Sequence, residues 1–336
     1  MTRMSVKRLP SMAPVLLLGA CLVGSPGHGP RDPFTVRVPL GLDLAAPVPE
    51  ANPLTTAGVE LGRDLFFDPV LSRDGSMSCA SCHQPGRHFA DGRAKAVGID
   101  GREGERNVPS VLNVAYGRSF FWDGRARSLE DQVLEPIEGD NELGTDLDAL
   151  VARLAATARY PRAFDEAFGG DIITPDRVAH AIASYLRTLR SGNAPIDRFL
   201  YGDTAALTPD ARRGFRLFTG RANCGVCHTI PLFTDHGFHN TGVSWGSVDT
   251  GRLAVTGDEA DRGLFKTPSL RNVGETAPFM HDGSIATLEE VIEHYDRGGT
   301  PNRNLDEEIR PLGLTPAEKR QMIAFLEALT EGPSNR

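Results

Sequence analysis

Cysteine is scarce in this chain of 336 residues: there are five, and four of them fall in two short stretches of the form C-x-x-C-H. No pair is left over for a disulfide framework. Long apolar runs are missing as well. The apolar stretch over residues 12–20 is too short to span a bilayer, and it follows Arg3, Lys7 and Arg8, which is the layout of an export signal with a charged n-region and a short h-region. Excess positive charge is also absent. A formal net charge of −8 argues against a nucleic-acid partner, and neither like-charge blocks nor low-complexity tracts appear. Convincing strand alternation is lacking too, so the chain reads as all-α with long Gly-rich loops.

Helix signals fill the remainder. Thr174-Pro175 opens a periodic segment expected to end near Gly192, Thr208-Pro209 one ending near Gly220, and Thr315-Pro316 one ending near Gly332. In each, the Thr accepts from orphan amides, Pro suits the first turn and Gly permits a left-handed stop. Thr287-x-x-Glu290 is a capping box. Thr145, followed by Asp146 and Asp148, is expected to open a helix that ends before Pro161.

The two C-x-x-C-H stretches are Cys79-Ala80-Ser81-Cys82-His83 and Cys224-Gly225-Val226-Cys227-His228. This is the attachment signature of c-type haem, with two thiols to add across the porphyrin vinyl groups and an adjacent imidazole to ligate the iron. A thioredoxin-like C-x-x-C would lack the His, and a zinc site built from both pairs would leave two histidines unexplained. Two covalently bound haems are therefore expected, with His83 and His228 as proximal ligands. Haem of this kind is attached outside the cytoplasm, which agrees with an export signal over residues 1–20 and a periplasmic protein. The ending Leu18-Gly19-Ala20-Cys21 has the form of a lipobox, in which Cys21 carries a lipid and is the only membrane contact. An ordinary signal peptide that discards Cys21 is the alternative. Residues 21–45, rich in Gly and Pro, read as a flexible tether.

An internal repeat supplies the architecture. Pro109-Ser110-Val111-Leu112-Asn113-Val114 matches Pro268-Ser269-Leu270-Arg271-Asn272-Val273, and Trp122-Asp123-Gly124 matches His281-Asp282-Gly283 at the same offset of 159. Two cytochrome c-like haem domains are expected, an N-terminal one over 46–202 and a C-terminal one over 203–332. That offset sets Pro136 opposite Tyr295, on the helix opened by Thr287. Pro has no side-chain donor for iron, so the second haem is expected to be closed by a protein ligand and the first left open. Tyr295 is the expected ligand, with His294, His281 and Met280 as alternatives.

With these motifs the chain resembles the bacterial di-haem cytochrome c peroxidases of the MauG type. The resemblance runs from about Gly58 to Leu329 and rests on Leu65-Phe66-Phe67-Asp68, Arg106-Asn107-Val108-Pro109-Ser110, Phe121-Trp122-Asp123-Gly124-Arg125, Lys266-Thr267-Pro268-Ser269-Leu270-Arg271-Asn272 and Ala277-Pro278-Phe279-Met280-His281-Asp282-Gly283. It implies a peroxide site at the N-terminal haem and an electron relay at the C-terminal haem. It also implies that Gln132 and Glu142 form the distal pair, that Trp122 couples the haems, and that Asn107 with the carbonyls of Thr276 and Pro278 holds one calcium ion, a hard cation suited to oxygen donors. Other members of the family place a ligating His where this chain has Ile99, and a Met where it has Tyr295. Both departures point to the MauG type.

Three functions are consistent with this reading. The first is a peroxidase that reduces hydrogen peroxide with electrons from a small cytochrome c or copper protein. The second, implied by the resemblance, is a maturase that oxidises residues of a protein substrate; Arg221-Ala222-Asn223 stands where the maturase of this type has a Trp that serves the outward electron path, which argues against the same substrate. The third is a non-enzymatic electron carrier, against which Pro136, Ile99 and the distal pair argue.

Overall fold

The computed structural model describes residues 32–42, 45–243 and 245–331. The expected export signal, Cys21 and Gly332 lie outside them. Eleven helices are assigned among the described residues: α1 (Thr56–Phe67), α2 (Cys79–Cys82), α3 (Leu129–Glu138), α4 (Leu147–Ala156), α5 (Arg159–Phe168), α6 (Pro175–Leu186), α7 (Pro195–Leu200), α8 (Pro209–Thr219), α9 (Leu253–Thr256), α10 (Leu288–Asp296) and α11 (Pro316–Glu327). The fold is helical with a trace of sheet. Strands β1 (Phe238–His239) and β2 (Phe265–Lys266) pair antiparallel, Phe238 opposite Lys266; two residues are too few for alternation to show in sequence.

The Thr caps form as their spacing requires. Thr174, Thr208, Thr287 and Thr315 accept from the amides of Arg177, Ala211, Glu290 and Glu318. Three boundaries differ from expectation. Helix α6 stops at Leu186, well short of Gly192, because the following backbone is captured by tertiary partners: Ser191 N–H donates to Asn113 Oδ1 at 2.9 Å and Asn193 N–H to the Leu40 carbonyl at 2.8 Å. Helix α11 likewise ends at Glu327. Asp146, not Thr145, caps α4 by accepting from Ala149; the Thr145 hydroxyl is buried and donates to the Leu71 carbonyl at 2.7 Å.

Two hydrophobic clusters organise the body. One is built from α1, α3, α4, α5 and α6, from Leu61 to Leu186; the other runs from Ala194 to Leu329 and takes in α7, α8, α10 and α11. Each contains one very close helix crossing. A Cβ on Gly62 of α1 would lie 1.8 Å from the Ala181 carbonyl oxygen of α6, and one on Gly214 of α8 would lie 1.9 Å from that of Gln321 on α11. Only glycine lets these backbones touch, and each of these glycines lies on the helix that leads into a C-x-x-C-H stretch.

The N-terminal segment is not free along the whole of the expected tether. Phe34 N–H donates to the Leu54 carbonyl at 3.0 Å, and Leu42 is fully buried against Tyr116 and Leu232. Apolar burial of this kind outweighs the flexibility that Gly and Pro suggest locally.

Candidate functional site

Helix α2 is a single turn, and His83 caps its end with its N–H on the Cys79 carbonyl at 2.9 Å. The His83 Nδ1 lies 3.1 Å from the Phe89 carbonyl. A carbonyl can only accept, so Nδ1 carries the proton and Nε2 keeps its lone pair. The second stretch repeats this arrangement: His228 N–H meets the Cys224 carbonyl at 2.9 Å, and His228 Nδ1 meets the Phe233 carbonyl at 2.9 Å. Burial lowers the pKa of both imidazoles and keeps them neutral, as metal ligation requires. Burial also pushes the Cys79 and Cys224 thiols up to about 12 and Cys82 to about 11.

The surroundings of the two motifs then diverge. On α3, Gln132 and Pro136 lie one turn apart and so share a helix face, and the Pro136 carbonyl accepts from Leu143 N–H at 3.0 Å, next to Glu142. The loop after α3 carries Glu142, whose charge is felt by both Cys79 and Cys82. Burial raises the Glu142 carboxyl above its ordinary pKa, against the pull of Arg125. Glu142 nonetheless keeps accessible surface. His83 and Cys79 are half-exposed, and desolvation disfavours their charged forms as it does that of Glu142. The Glu142 backbone is clasped from behind: Ile99, 1 % exposed, donates its N–H to the Glu142 carbonyl at 2.9 Å.

Near the second motif stands Tyr295, on the last turn of α10. Burial pushes its phenol up to about 12, with the charges of Cys224 and Cys227 adding to the shift and a hydrogen bond with Thr241 opposing it. Two of the three alternatives have partners of their own. His294 Nε2 lies 2.9 Å from the Thr241 carbonyl, and the buried His281 ring stacks on Phe265 with centroids 3.6 Å apart.

Between the halves, Trp122 Nε1 donates to the Asn107 carbonyl at 2.9 Å, while the Trp122 carbonyl accepts from Lys266 N–H at 2.7 Å. Asn107 is buried; its Nδ2 donates to the Arg93 carbonyl at 2.8 Å and its N–H to that of His281 at 2.8 Å, which ties it to the loop that carries Thr276 and Pro278.

A family model described as di-haem cytochrome c peroxidase matches residues 56–205. The methylamine utilization protein MauG of Methylorubrum extorquens is 45 % identical over 292 residues, covering 86 % of this chain and 83 % of that one. The chain belongs to the di-haem cytochrome c peroxidase family. Cytochrome-c peroxidase IdrP1 of Denitromonas iodatirespirans is 37 % identical, covering 87 % of this chain and 86 % of its own. A crystal structure of a MauG-like protein associated with microbial copper homeostasis superposes with a TM-score of 0.81 at 34 % identity, over 86 % of this chain and 95 % of that one. This peroxidase is accordingly an oxidoreductase with haem as cofactor, and peroxide or a redox protein as its partner.

Some charged groups of the peroxidase had no local signal. Arg106 bonds Asp123 at 2.6 Å and, from 143 residues away, Asp249 at 2.7 Å, binding the halves together. His239 is bracketed by Asp306 at 2.6 Å and Asp235 at 2.9 Å. Its pKa is pushed up to about 10, by a hydrogen bond with Cys227 first and by the two carboxylates after it. Asp249 and Asp306, 143 and 67 residues from Arg106 and His239, are brought to them only by folding. Among the described residues no helix is long and apolar enough to cross a membrane.

Proposed function

We propose that this chain is an exported c-type peroxidase that reduces hydrogen peroxide to water at an open N-terminal haem, with electrons relayed through a Tyr-ligated C-terminal haem. Cys79, Cys82 and His83 would hold the first haem in a domain over 46–202, and Cys224, Cys227, His228 and Tyr295 the second in a domain over 203–332. The observation that carries the reading is the asymmetry of the two walls: Glu142 and Pro136 near the first motif, a phenol near the second. The donor sets suit haem. Each has two thiols and a neutral imidazole whose Nδ1 is already engaged by a backbone carbonyl. Tyr295, protonated to about 12 by its burial, becomes a phenolate only beside a cation, which a ferric iron supplies.

Haem, when bound, supplies an iron that binds peroxide and passes electrons singly. The chain supplies the proton handling. Glu142 takes a proton from the near peroxide oxygen and delivers it to the far one, while the Gln132 amide donates to the far oxygen. Trp122, fixed through Nε1 to the Asn107 carbonyl, provides an aromatic path between the halves. Val226 within the second motif and Ile230 just after it, 49 % and 43 % accessible, would offer apolar surface to a small cytochrome c or copper protein. One calcium ion would be held by Asn107 with the carbonyls of Thr276 and Pro278. Residues 1–20 direct export to the periplasm, and Cys21, where retained, carries a lipid.

Electron paramagnetic resonance of the ferric protein tests this. One high-spin and one low-spin haem, both bleached by one equivalent of peroxide without prior reduction, are expected. Two low-spin haems that ignore peroxide would make the chain an electron carrier and sink the proposal. The similarity to MauG favours, as a second reading, oxidation of a protein substrate; covalent change in a co-purified partner after peroxide addition would select it.

A further inference from the structure

The turn that carries Trp122 is gripped by a side chain of the second half. Arg252 Nη1 donates to two successive carbonyls of that turn, Asp123 at 2.9 Å and Gly124 at 3.1 Å. Its guanidinium lies over the Phe238 ring, 4.4 Å from the centroid. The same ring meets the turn directly: Gly124 is left-handed at φ 71°, and a Cβ there would lie 2.3 Å from Phe238 Cζ. Arg252 is itself fixed by its N–H on the Leu264 carbonyl at 2.9 Å, just before β2. The Asp123 carboxylate is taken up by Arg106 at 2.6 Å and Arg125 at 3.0 Å, so Arg252 holds the backbone of the turn and not its charge. Bonds from a cation to carbonyls are stronger than neutral ones, and the half-buried stack on Phe238 adds to them.

The turn is held against backbone that leads straight to the second C-x-x-C-H stretch. The Trp122 carbonyl accepts from Lys266 N–H at 2.7 Å, Thr267 N–H donates to the Gly237 carbonyl at 2.9 Å, and Asp235 N–H donates to the Cys227 carbonyl at 2.7 Å. Three hydrogen bonds and short runs of chain thus join Trp122 to Cys227. We propose that Arg252 is a positioning residue for electron passage between the halves, holding the Trp122 turn where the indole passes electrons to and from the second half. This rests on the reading of Trp122 and of the two haems given above. In the step itself one electron leaves the haem held by the second half and is gained by the one held by the first. Arg252 neither donates nor accepts it.

The test uses the haem-loaded protein and two readouts. In stopped-flow mixing with one equivalent of peroxide the two haems are followed separately, and the bleaching rate of the second is divided by that of the first. A misplacement of about 1 Å costs on the order of 100-fold in rate, and loosening one turn is a smaller displacement, so this ratio falls about tenfold in Arg252→Met. Arg252→Lys keeps an N–H donor and loses less. The second readout needs no turnover: amide hydrogen exchange at Lys266, followed by mass, rises in Arg252→Met because the Trp122 carbonyl that it bonds is no longer held. A wild-type ratio in Arg252→Met overturns the proposal whether or not exchange rises. So does a lowered ratio without faster exchange, which would assign the effect to charge, and so do equal losses in Arg252→Met and Arg252→Lys. If Arg252→Met loads no haem, Arg252→Lys decides: a lowered ratio with faster exchange upholds the proposal and a wild-type ratio overturns it. Wild-type protein that carries no covalent haem, or whose second haem ignores peroxide, would instead refute the underlying reading, which keeps the two failures apart.

Discussion

The clasp behind Glu142 makes Gly98→Ala a sharp perturbation. Gly98 has φ −92°, which any residue adopts, so the substitution adds no backbone strain and its effect is purely steric. A Cβ there would lie 2.1 Å from the Asn141 carbonyl oxygen and 2.7 Å from Glu142 Cα, and contacts under 3.0 Å essentially do not occur. The two loops must separate by about 0.9 Å. The obstacle is backbone, so a side-chain rotation cannot relieve it. Overpacking of this size costs about 1–3 kcal/mol. The displacement is directed at Glu142, whose carbonyl accepts from Ile99 N–H. A shift of about 1 Å in a proton-handling group costs on the order of 100-fold in rate. The assay is stopped-flow bleaching of the ferric haem-loaded protein by peroxide, alongside a thermal melt, with Gly86→Ala as control, where nothing lies within 4 Å of the added Cβ. A wild-type bleaching rate in Gly98→Ala would refute the argument that this approach positions Glu142.

Glu142→Gln should slow the peroxide reaction by roughly 100-fold or more. Glu142 acts first in its ionised form and its folded pKa is raised above 4.5, so the wild-type rate rises with pH through a value above 4.5, and the variant loses that limb; a limb that persists would assign it to another group. The same shift means that the folded state binds this proton more tightly than the unfolded one, so its contribution to stability falls as pH rises from 4.5 through the raised value. Arg271→Met strands the buried Asp197 carboxylate, now held at 2.8 and 2.9 Å by the guanidinium fork. A loss of about 3–5 kcal/mol is expected in urea denaturation, with much of it regained in the double variant Arg271→Met, Asp197→Leu; a loss under about 1 kcal/mol would mean that water reaches the pair.

What the sequence determined by itself was whatever fits within a few residues. The C-x-x-C-H stretches place thiols and imidazole by chain geometry alone, and the caps of Thr174, Thr208, Thr287 and Thr315 follow from spacing within one turn, whereas Thr145 is drawn off to the Leu71 carbonyl. What tertiary structure decided depended on residues far apart. Helix α6 ends at Leu186 because Asn113 and Leu40 take the next backbone groups, and the segment expected as a tether is pinned by the burial of Leu42. His294 and Tyr295 are neighbours in sequence, yet the fold turns one ring to the Thr241 carbonyl and the other toward Cys224 and Cys227. The joins of Arg106 with Asp249 and of Lys266 with Trp122 likewise cross more than 140 positions. The physical reason is one of range: covalent spacing and capping act within a helical turn, whereas desolvation and charge pairing depend on packing that exists only once the halves have met.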